Sequence, residues 1–283
     1  MCRFTFYHGP PLLLSSLITE PENSLIHQSF ESQEREEPLN GDGFGVAWYS
    51  PRGVPGLFRS VTPAWNNANL ASLARVVEST CILAHVRAAT QIQSVGEVNC
   101  HPFVSARYAF MHNGDLGGFP RLRRALIERL SDERFAGLQG QTDSEHVFAL
   151  MLDRLASRGA GAGAEVLALA FREALAEALA LSRRLAPGEP SDFNAVLTDG
   201  EAAVVSRFTT RTDYAGESLH WSCGRRYACE NGICRMRAPE APGPAVLVSS
   251  ERLSEDPDWA VVPKNHLLLV SPDRTVRLER IEL

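Results

Sequence analysis

The chain has no stretch approaching the ~20 consecutive apolar residues of a membrane span, so no transmembrane helix is expected anywhere in its 283 residues. Leu12 to Ile18 is apolar but short, and lacks the basic flank and cleavage site of a secretory signal. Positive charge is scarce: 28 basic residues against 34 acidic ones leave a net charge of -6. The isoelectric point is about 5.8. Proteins that bind through phosphate contacts are usually basic, so nucleic acid is not an expected partner. Internal repeats and low-complexity tails are absent. Six cysteines (Cys2, Cys81, Cys100, Cys223, Cys229, Cys234) in a chain this long do not form a disulfide framework. A reducing, cytoplasmic compartment is the expectation. The tight Cys-x2-Cys knuckle is missing too. His220, Cys223, Cys229 and Cys234 lie near one another, but their spacings suit an ordinary strand better than zinc, so neither metal nor cofactor is expected. Cys229 and Cys234 could face each other across Asn231-Gly232, yet no stable bridge is expected between them.

With 44% hydrophobic and 22% charged residues, the chain suits a globular protein with a sizeable core. Residues 3–8 alternate as a strand stopped by Gly9-Pro10-Pro11, and 12–40 reads as a polar connection. Asn40-Gly41-Asp42-Gly43-Phe44-Gly45 leads into a strand from Val46 to Tyr49. No helix pattern and no Lys-Ser/Thr follows these glycines, so they read as a tight turn beside a site rather than a phosphate loop. A helix is expected over 66–79, a buried strand over 81–86, a turn at Asn99–Phe103, a strand over 108–112 ending at Asn113-Gly114, and a basic amphipathic helix over 120–131. Thr142 and Glu145 are spaced as a capping box that starts another helix. A long Ala- and Leu-rich helix covers 160–185 and stops at Pro187-Gly188-Glu189-Pro190, a turn within one domain spanning 1–283. A hairpin follows over 193–198 and 202–208, then strands at 218–222, from 226 onward, and at 246–249, 266–270 and 275–281. Strands separated by helices early, then strands in runs, predict an α+β protein with antiparallel sheets.

Four features fall at strand or helix ends: Cys2, Arg87, Asn113-Gly114 and Asp143. If Met1 is removed, Cys2 carries a free α-amine beside its thiol. The amine titrates near pH ~8 and the thiol near ~8.5, so one residue can supply both nucleophile and base. A thiolate attacking an amide makes an oxyanion, which an Asn amide and a following glycine N–H can stabilise. Arg can clasp a carboxylate in two-pronged fashion, and Asp can pair with an ammonium. Each feature also has an ordinary structural reading: an ion pair for Arg87, a turn for Asn113-Gly114, and helix-dipole compensation for Asp143.

In order, the segments Met1-Cys2-Arg3-Phe4, Asn40–Gly45, His85-Val86-Arg87-Ala88-Ala89-Thr90, Asn99-Cys100-His101-Pro102-Phe103, Met111-His112-Asn113-Gly114, Thr142-Asp143-Ser144-Glu145, Ser249–Leu253 and Val262–Asn265 closely resemble class II glutamine amidotransferases, a branch of the N-terminal nucleophile hydrolases. Within that family the likeness is to stand-alone amidases. These are the amidase subunit of the fungal glutathione-degradation complex and the γ-glutamyl amidohydrolase of the ergothioneine pathway. The resemblance implies a four-layer αββα sandwich of two antiparallel sheets between helix layers. It implies Cys2 as nucleophile, Asn113 and Gly114 as oxyanion donors, Arg87 at the substrate α-carboxylate and Asp143 at its α-amine. Thr90 and His112 would support the substrate, and Gly41 and Asp42 would border the γ-glutamyl pocket. Many relatives carry Arg-Gly-x-Asp where this chain has Asn40-Gly41-Asp42-Gly43. No synthase segment follows the amidase here. The implied activity is therefore hydrolysis of a small γ-glutamyl compound, a glutathione-like peptide or glutamine, releasing glutamate. One alternative is a glutaminase that feeds ammonia to a separate synthase subunit. Another is a non-catalytic protein that binds a γ-glutamyl ligand or scaffolds a metallopeptidase-like partner. The amide-cleaving reading requires Arg87, Asn113 and Asp143 to share a cleft with the start of the chain.

Overall fold

The computed structural model describes residues 2–34, 39–88, 95–158, 163–230, 233–237 and 244–283. In chain order the strands are β1 (Arg3–Leu13), β2 (Phe44–Tyr49), β3 (Pro55–Ser60), β4 (Glu78–Val86), β5 (Phe103–Ser105), β6 (Tyr108–Asp115), β7 (Asp192–Thr198), β8 (Ala203–Thr209), β9 (His220–Gly224), β10 (Arg226–Glu230), β11 (Ile233–Arg237), β12 (Ala245–Ser249), β13 (Ala260–Val261), β14 (His266–Val270) and β15 (Val276–Arg280). The helices are α1 (Ser15–Ile18), α2 (Leu25–Gln28), α3 (Ala68–Ala74), α4 (Phe119–Ile127), α5 (Asp132–Gly137), α6 (Asp143–Ala156) and α7 (Ala164–Leu185).

Two antiparallel sheets form the centre. One has seven strands in the order β13-β9-β12-β1-β4-β2-β3, the other six in the order β15-β14-β8-β7-β6-β5. Side chains alternate across each central strand, as the period of two requires. Phe4, Phe6, Leu83, Val246 and Val248 point from the first sheet into a core shared with Met111, Val196, Val205 and Leu268 of the second. Their neighbours Tyr7, Ile82, Ala84 and Leu247 point outward, onto Leu14, Leu17, Leu25 and Leu70 beneath α1–α3. On the far face of the second sheet, Ala195, Leu197, Val204, Leu267 and Leu269 pack on Leu122, Phe148, Met151, Phe171 and Leu175 of α4, α6 and α7. Both faces of each sheet are thus covered, which gives the expected four-layer αββα sandwich. It also explains why strands such as β12 and β14 read as unbroken apolar runs.

The two helical layers are unequal. The outer layer on the seven-stranded sheet is three short helices of four, four and seven residues, backed by the β10–β11 hairpin. The polar connection expected over 12–40 holds α1 and α2, whose buried Leu17, Ile18 and Leu25 seal that face. The layer on the six-stranded sheet contains the 14-residue α6 and the 22-residue α7. Buried Ala168, Phe171, Ala174, Leu175, Ala178 and Leu179 recur along α7 at helical spacing and make one apolar stripe.

Several boundaries depart from the sequence reading. β1 continues through Gly9-Pro10-Pro11 instead of stopping there. Its register shifts between His8 and Leu12, where the prolines cannot donate, and pairing resumes at Leu12 with Ser79. The Tyr7 hydroxyl bridges this bulge by donating to the Pro10 carbonyl at 2.7 Å. The helix expected over 66–79 shortens to α3, because Glu78 and Ser79 already pair with Leu13 and Leu12. β3 was not anticipated. Cys229 and Cys234 sit directly opposite in the β10–β11 ladder and are joined as a disulfide, which corrects the expectation of two free thiols. Cys229 therefore cannot share a metal with His220, which instead bonds to Glu34 at 2.8 Å.

Residues 3–5 are held by their opposite numbers at 249–251. Arg3 and Glu251 are both fully buried and pair at 3.2 Å. The Arg3 guanidinium also donates to Asn40 Oδ1 at 2.8 Å, and the Glu251 carboxylate accepts from Ser32 Oγ at 2.7 Å and Gln33 N at 2.9 Å. Removing one member leaves the other charge buried, which costs about 3–5 kcal/mol. Glu251→Gln is expected to lower the urea-unfolding free energy by about 3 kcal/mol or more. An unchanged midpoint would show that the pair is dispensable for folding.

Candidate active site

Cys2 precedes β1 and is therefore fixed by everything that fixes Arg3. Its thiol donates to the Ala88 carbonyl at 3.5 Å. Burial pushes the thiol pKa above its ordinary value, while the Arg87 guanidinium works in the opposite direction. Cys2 opens onto a cavity of about 600 Å³ that is also lined by Arg87, His112, Asn113, Gly114 and Asp143. Three distant stretches of sequence thus meet at the start of the chain.

Arg87 follows the last residue of β4 and is buried. The glycine-containing loop brackets its backbone: Arg87 N donates to the Gly43 carbonyl at 2.8 Å, and Asp42 N donates to the Arg87 carbonyl at 3.0 Å. Gly41 and Asp42 are not among the residues lining the cavity, and Asp42 bears on it through its bond to Arg87. Thr90 lies outside the described residues.

Asn113-Gly114 is not the expected turn. β6 runs on to Asp115, with Asn113 opposite Asn194, Gly114 opposite Phe193 and Asp115 opposite Asp192. Asn113 Nδ2 donates to the Cys2 carbonyl at 2.6 Å and ties the two segments together. Gly114 has φ +140°, and a Cβ placed there would lie 1.9 Å from the Asp192 carbonyl oxygen. Only glycine lets β6 pass that carbonyl. The same oxygen lies 3.0 Å from His112 Nε2. A carbonyl can only accept, so Nε2 carries the proton, and Nδ1 accepts from the Ser144 hydroxyl at 2.9 Å. The His112 ring stacks on Phe193 with centroids 4.0 Å apart. His112 thereby links β6, β7 and α6.

Asp143 opens α6. Thr142 caps the helix, accepting from Glu145 N at 3.3 Å as the capping box predicts. Glu145 does not complete the box. Its carboxylate reaches further back, to Gln139 N at 2.8 Å and Gly140 N at 2.7 Å. Asp143 accepts from Leu116 N at 2.7 Å and from Ser144 N at 2.7 Å, which aligns its carboxylate beside β6. Asp115 lines the same cavity, and burial together with the Asp143 carboxylate raises its pKa.

Behind the cavity, His85 donates from Nε2 to the His112 carbonyl at 3.2 Å. Burial holds its pKa down to about 3. The His101 ring packs at a tilt of 38° against His85 with centroids 4.4 Å apart, and burial and the His85 ring keep its pKa well below normal. Both rings are neutral at ordinary pH.

The sequence reading missed Asp115, Ser144, His101, Arg123, Asp192 and Arg211, all of which line the cavity. Asp115 and Ser144 directly follow residues it singled out, so adjacency could have flagged them. Arg123 was indistinguishable from the other arginines of a basic helix. Asp192 and Arg211 come from β7 and from the loop after β8. That loop is pinned by Lys264, whose ammonium donates to the carbonyls of Arg211 (2.7 Å), Thr212 (3.2 Å) and Tyr214 (2.6 Å). Gly114→Ala combines a strained backbone, worth about 1–3 kcal/mol, with a collision at Asp192. Thermal unfolding should shift down by several degrees; an unchanged melting temperature would mean the β6–β7 approach is not as close as described.

Comparison with known proteins places the chain in a family. The family described as glutamine amidotransferases class-II matches residues 12–280. The chain is 40% identical over 293 residues to the probable glutamine amidotransferase DUG3 of Saccharomyces cerevisiae, covering 95% of this chain and 82% of that protein. It is 25% identical over 269 residues to the gamma-glutamyl-hercynylcysteine sulfoxide hydrolase of Mycolicibacterium smegmatis, covering 95% of each. A solved glutamine aminotransferase class-II domain protein from Silicibacter pomeroyi superposes with a TM-score of 0.68 at 26% identity over the whole of both chains. The glutamine phosphoribosylpyrophosphate amidotransferase of B. subtilis shares the fold, with a TM-score of 0.61 at 16% identity over all of this chain and 50% of that one. With a matched family profile along nearly its whole length, and with the fold of that family, the chain belongs to the class II glutamine amidotransferases.

Proposed function

We propose that this enzyme hydrolyses the γ-glutamyl amide bond of a small γ-glutamyl compound through a thioester on Cys2. The observation that carries the reading is the convergence of Cys2, Arg87, Asn113, Gly114 and Asp143 on one cavity. Similarity to the relative named as a gamma-glutamyl-hercynylcysteine sulfoxide hydrolase supports hydrolysis as the outcome.

In this reading Met1 is removed and the freed α-amine of Cys2 takes the thiol proton. Burial, which raises the thiol pKa, makes a base on the same residue useful, since both groups leave water together. Arg87 clasps the substrate α-carboxylate and Asp143 its α-ammonium, which sets the γ-carbonyl over the sulfur. The thiolate attacks the γ-carbon and forms a C–S bond. The resulting oxyanion accepts from the Gly114 N–H and the Asn113 amide. That amide carries two hydrogens, and the Cys2 carbonyl takes one of them. The C–N bond then breaks, and the departing nitrogen takes the proton held by the α-amine. Water attacks the thioester, the C–S bond breaks, and glutamate leaves with the thiol restored. His112, held on both ring nitrogens, positions β6 against α6. Asp42 and Gly43 position Arg87.

Glutamate release from glutathione, glutamine and γ-glutamyl anilides tests the proposal. Cys2→Ala should abolish release from every substrate that the unaltered enzyme turns over. Equal release by the variant would remove Cys2 from the chemistry. Intact mass should show the loss of one methionine in active protein. Ammonia release from glutamine alone would replace this reading with that of an ammonia-supplying glutaminase.

A further inference from the structure

The charged groups around the cavity are mostly committed. The Arg211 Nε donates to Asp192 at 3.2 Å, and its guanidinium lies 5.5 Å from the Tyr214 ring centroid. Glu189 is paired with Arg121 at 2.7 Å. Asp143 accepts two backbone N–H groups.

Arg123 is arranged differently. It lies on α4 and lines the cavity together with Thr142, Asp143 and Ser144. Its Nε donates to His146 Nε2 at 3.3 Å. His146 is fully buried, and its Nδ1 lies 2.7 Å from the Thr142 carbonyl, which can only accept. The proton therefore sits on Nδ1, and Nε2 offers a bare lone pair to Arg123. Burial, reinforced by the Arg123 charge, keeps this imidazole neutral. The histidine thus orients the guanidinium without neutralising it. Among the described residues, no carboxylate lies within 4.0 Å of Arg123, and its two terminal nitrogens donate to no group. A guanidinium held by its inner nitrogen keeps its outer fork for a planar anion, the geometry that suits a carboxylate.

The cavity's size agrees. At about 600 Å³ it falls in the range of sites that enclose drug-sized ligands, well beyond the needs of one amino acid. If Arg87 takes the α-carboxylate of the glutamyl group, Arg123 has no partner within that group.

We propose that Arg123 is a specificity-determining residue that receives a second carboxylate, carried by the substrate beyond the scissile amide. Favoured substrates are then γ-glutamyl amino acids or peptides with a free carboxylate on the departing portion, and glutamine is a poor one. This inference rests on the hydrolase reading above.

The test compares kcat/KM for γ-glutamylglycine and its neutral C-terminal amide, γ-glutamylglycinamide, by glutamate release. A hydrogen-bonded charge pair implies a preference of about tenfold or more for the acid. Arg123→Gln should bring that ratio close to one, mainly through KM, and Arg123→Lys should keep part of it. The inference is overturned if the native enzyme shows no preference, if the preference survives in Arg123→Gln, or if that variant loses both substrates equally. Equal loss would place the guanidinium at the shared glutamyl end or in the fold. If the native enzyme releases glutamate from neither compound nor from any γ-glutamyl amide, the hydrolase reading falls. Turnover without discrimination overturns this inference alone.

Discussion

The buried ion pair between Arg3 and Glu251 is the constraint from which the site follows. Taking two charges out of water costs several kcal/mol per ion, and their attraction offsets this only when the remaining hydrogen-bonding capacity is used. Here much of it is used: Glu251 is met by Arg3, Ser32 and Gln33, and Arg3 also reaches Asn40. An apolar pair of similar volume could stabilise the molecule as well, so stability alone does not account for the choice. What the pair supplies is register. A strand slipped by one residue would turn Arg3 and Thr5 to the opposite face and bury a lone charge. Phe4 N donates to Ser250 Oγ at 3.0 Å, Ser250 N donates to the Phe4 carbonyl at 3.0 Å, and the hydroxyls of Thr5 and Ser249 meet at 3.0 Å. Chain ends usually fray. This one is held where Cys2 begins.

The two-sheet architecture turns that anchorage into a site. β1 and β4 are neighbours in one sheet, β6 and β7 in the other, so Cys2 and Arg87 come from one layer and Asn113 and Gly114 from the other. The core between them, with Phe4, Phe6, Leu83, Met111 and Val196, sets their separation. Close-packed interiors deform little, so the separation is fixed to the precision of packed side chains. Two direct bonds join the layers at the site: Asn113 Nδ2 donates to the Cys2 carbonyl at 2.6 Å, and His85 Nε2 donates to the His112 carbonyl at 3.2 Å. α6 adds Asp143 from outside the second sheet, and His112 joins it to β6 through Ser144.

Much of this was legible in the residues because local rules and packing agreed. The β7–β8 hairpin was placed within a residue, since Asp199-Gly200 sits between two apolar runs. α6 was placed from Thr142 and Glu145, although tertiary context redirected the Glu145 carboxylate to Gln139 and Gly140. The failures came where distant groups overruled local preference. Asn113-Gly114 is a strong turn signal in isolation, yet β7 supplies a partner strand and Asp192 fills the space that a side chain at 114 would occupy. Gly9-Pro10-Pro11 reads as a stop, yet β4 receives the chain again at Ser79. Cys229 and Cys234 were legible as facing each other, but the assumed reducing compartment argued against a bridge, whereas the β10–β11 ladder joins them as a disulfide. Cys2, Arg87, Asn113 and Asp143 were picked out singly by chemistry, and only the fold shows that they share a cavity.

The histidines behind the cavity decide where its pH sensitivity can come from. A histidine is ordinarily the group that changes charge between pH 5 and 8. Burial removes that behaviour from His85, whose pKa is held to about 3, and from His101, held well below normal. Positive potential in the cavity is therefore carried by arginines, which do not titrate in water. Asp115 moves the other way, raised by burial and by Asp143, so the acidic side of the cavity gains protons more readily than an exposed carboxylate. The neutral imidazoles add no further cation beside Arg87. They also do not compete as proton acceptors near Cys2. In the mechanism proposed above, the thiol of Cys2 and the α-amine freed by loss of Met1 carry the proton transfers, and the neutral rings of His85 and His101 take no part in them. Placing both functions on one residue asks of the surrounding fold only that it hold that residue still.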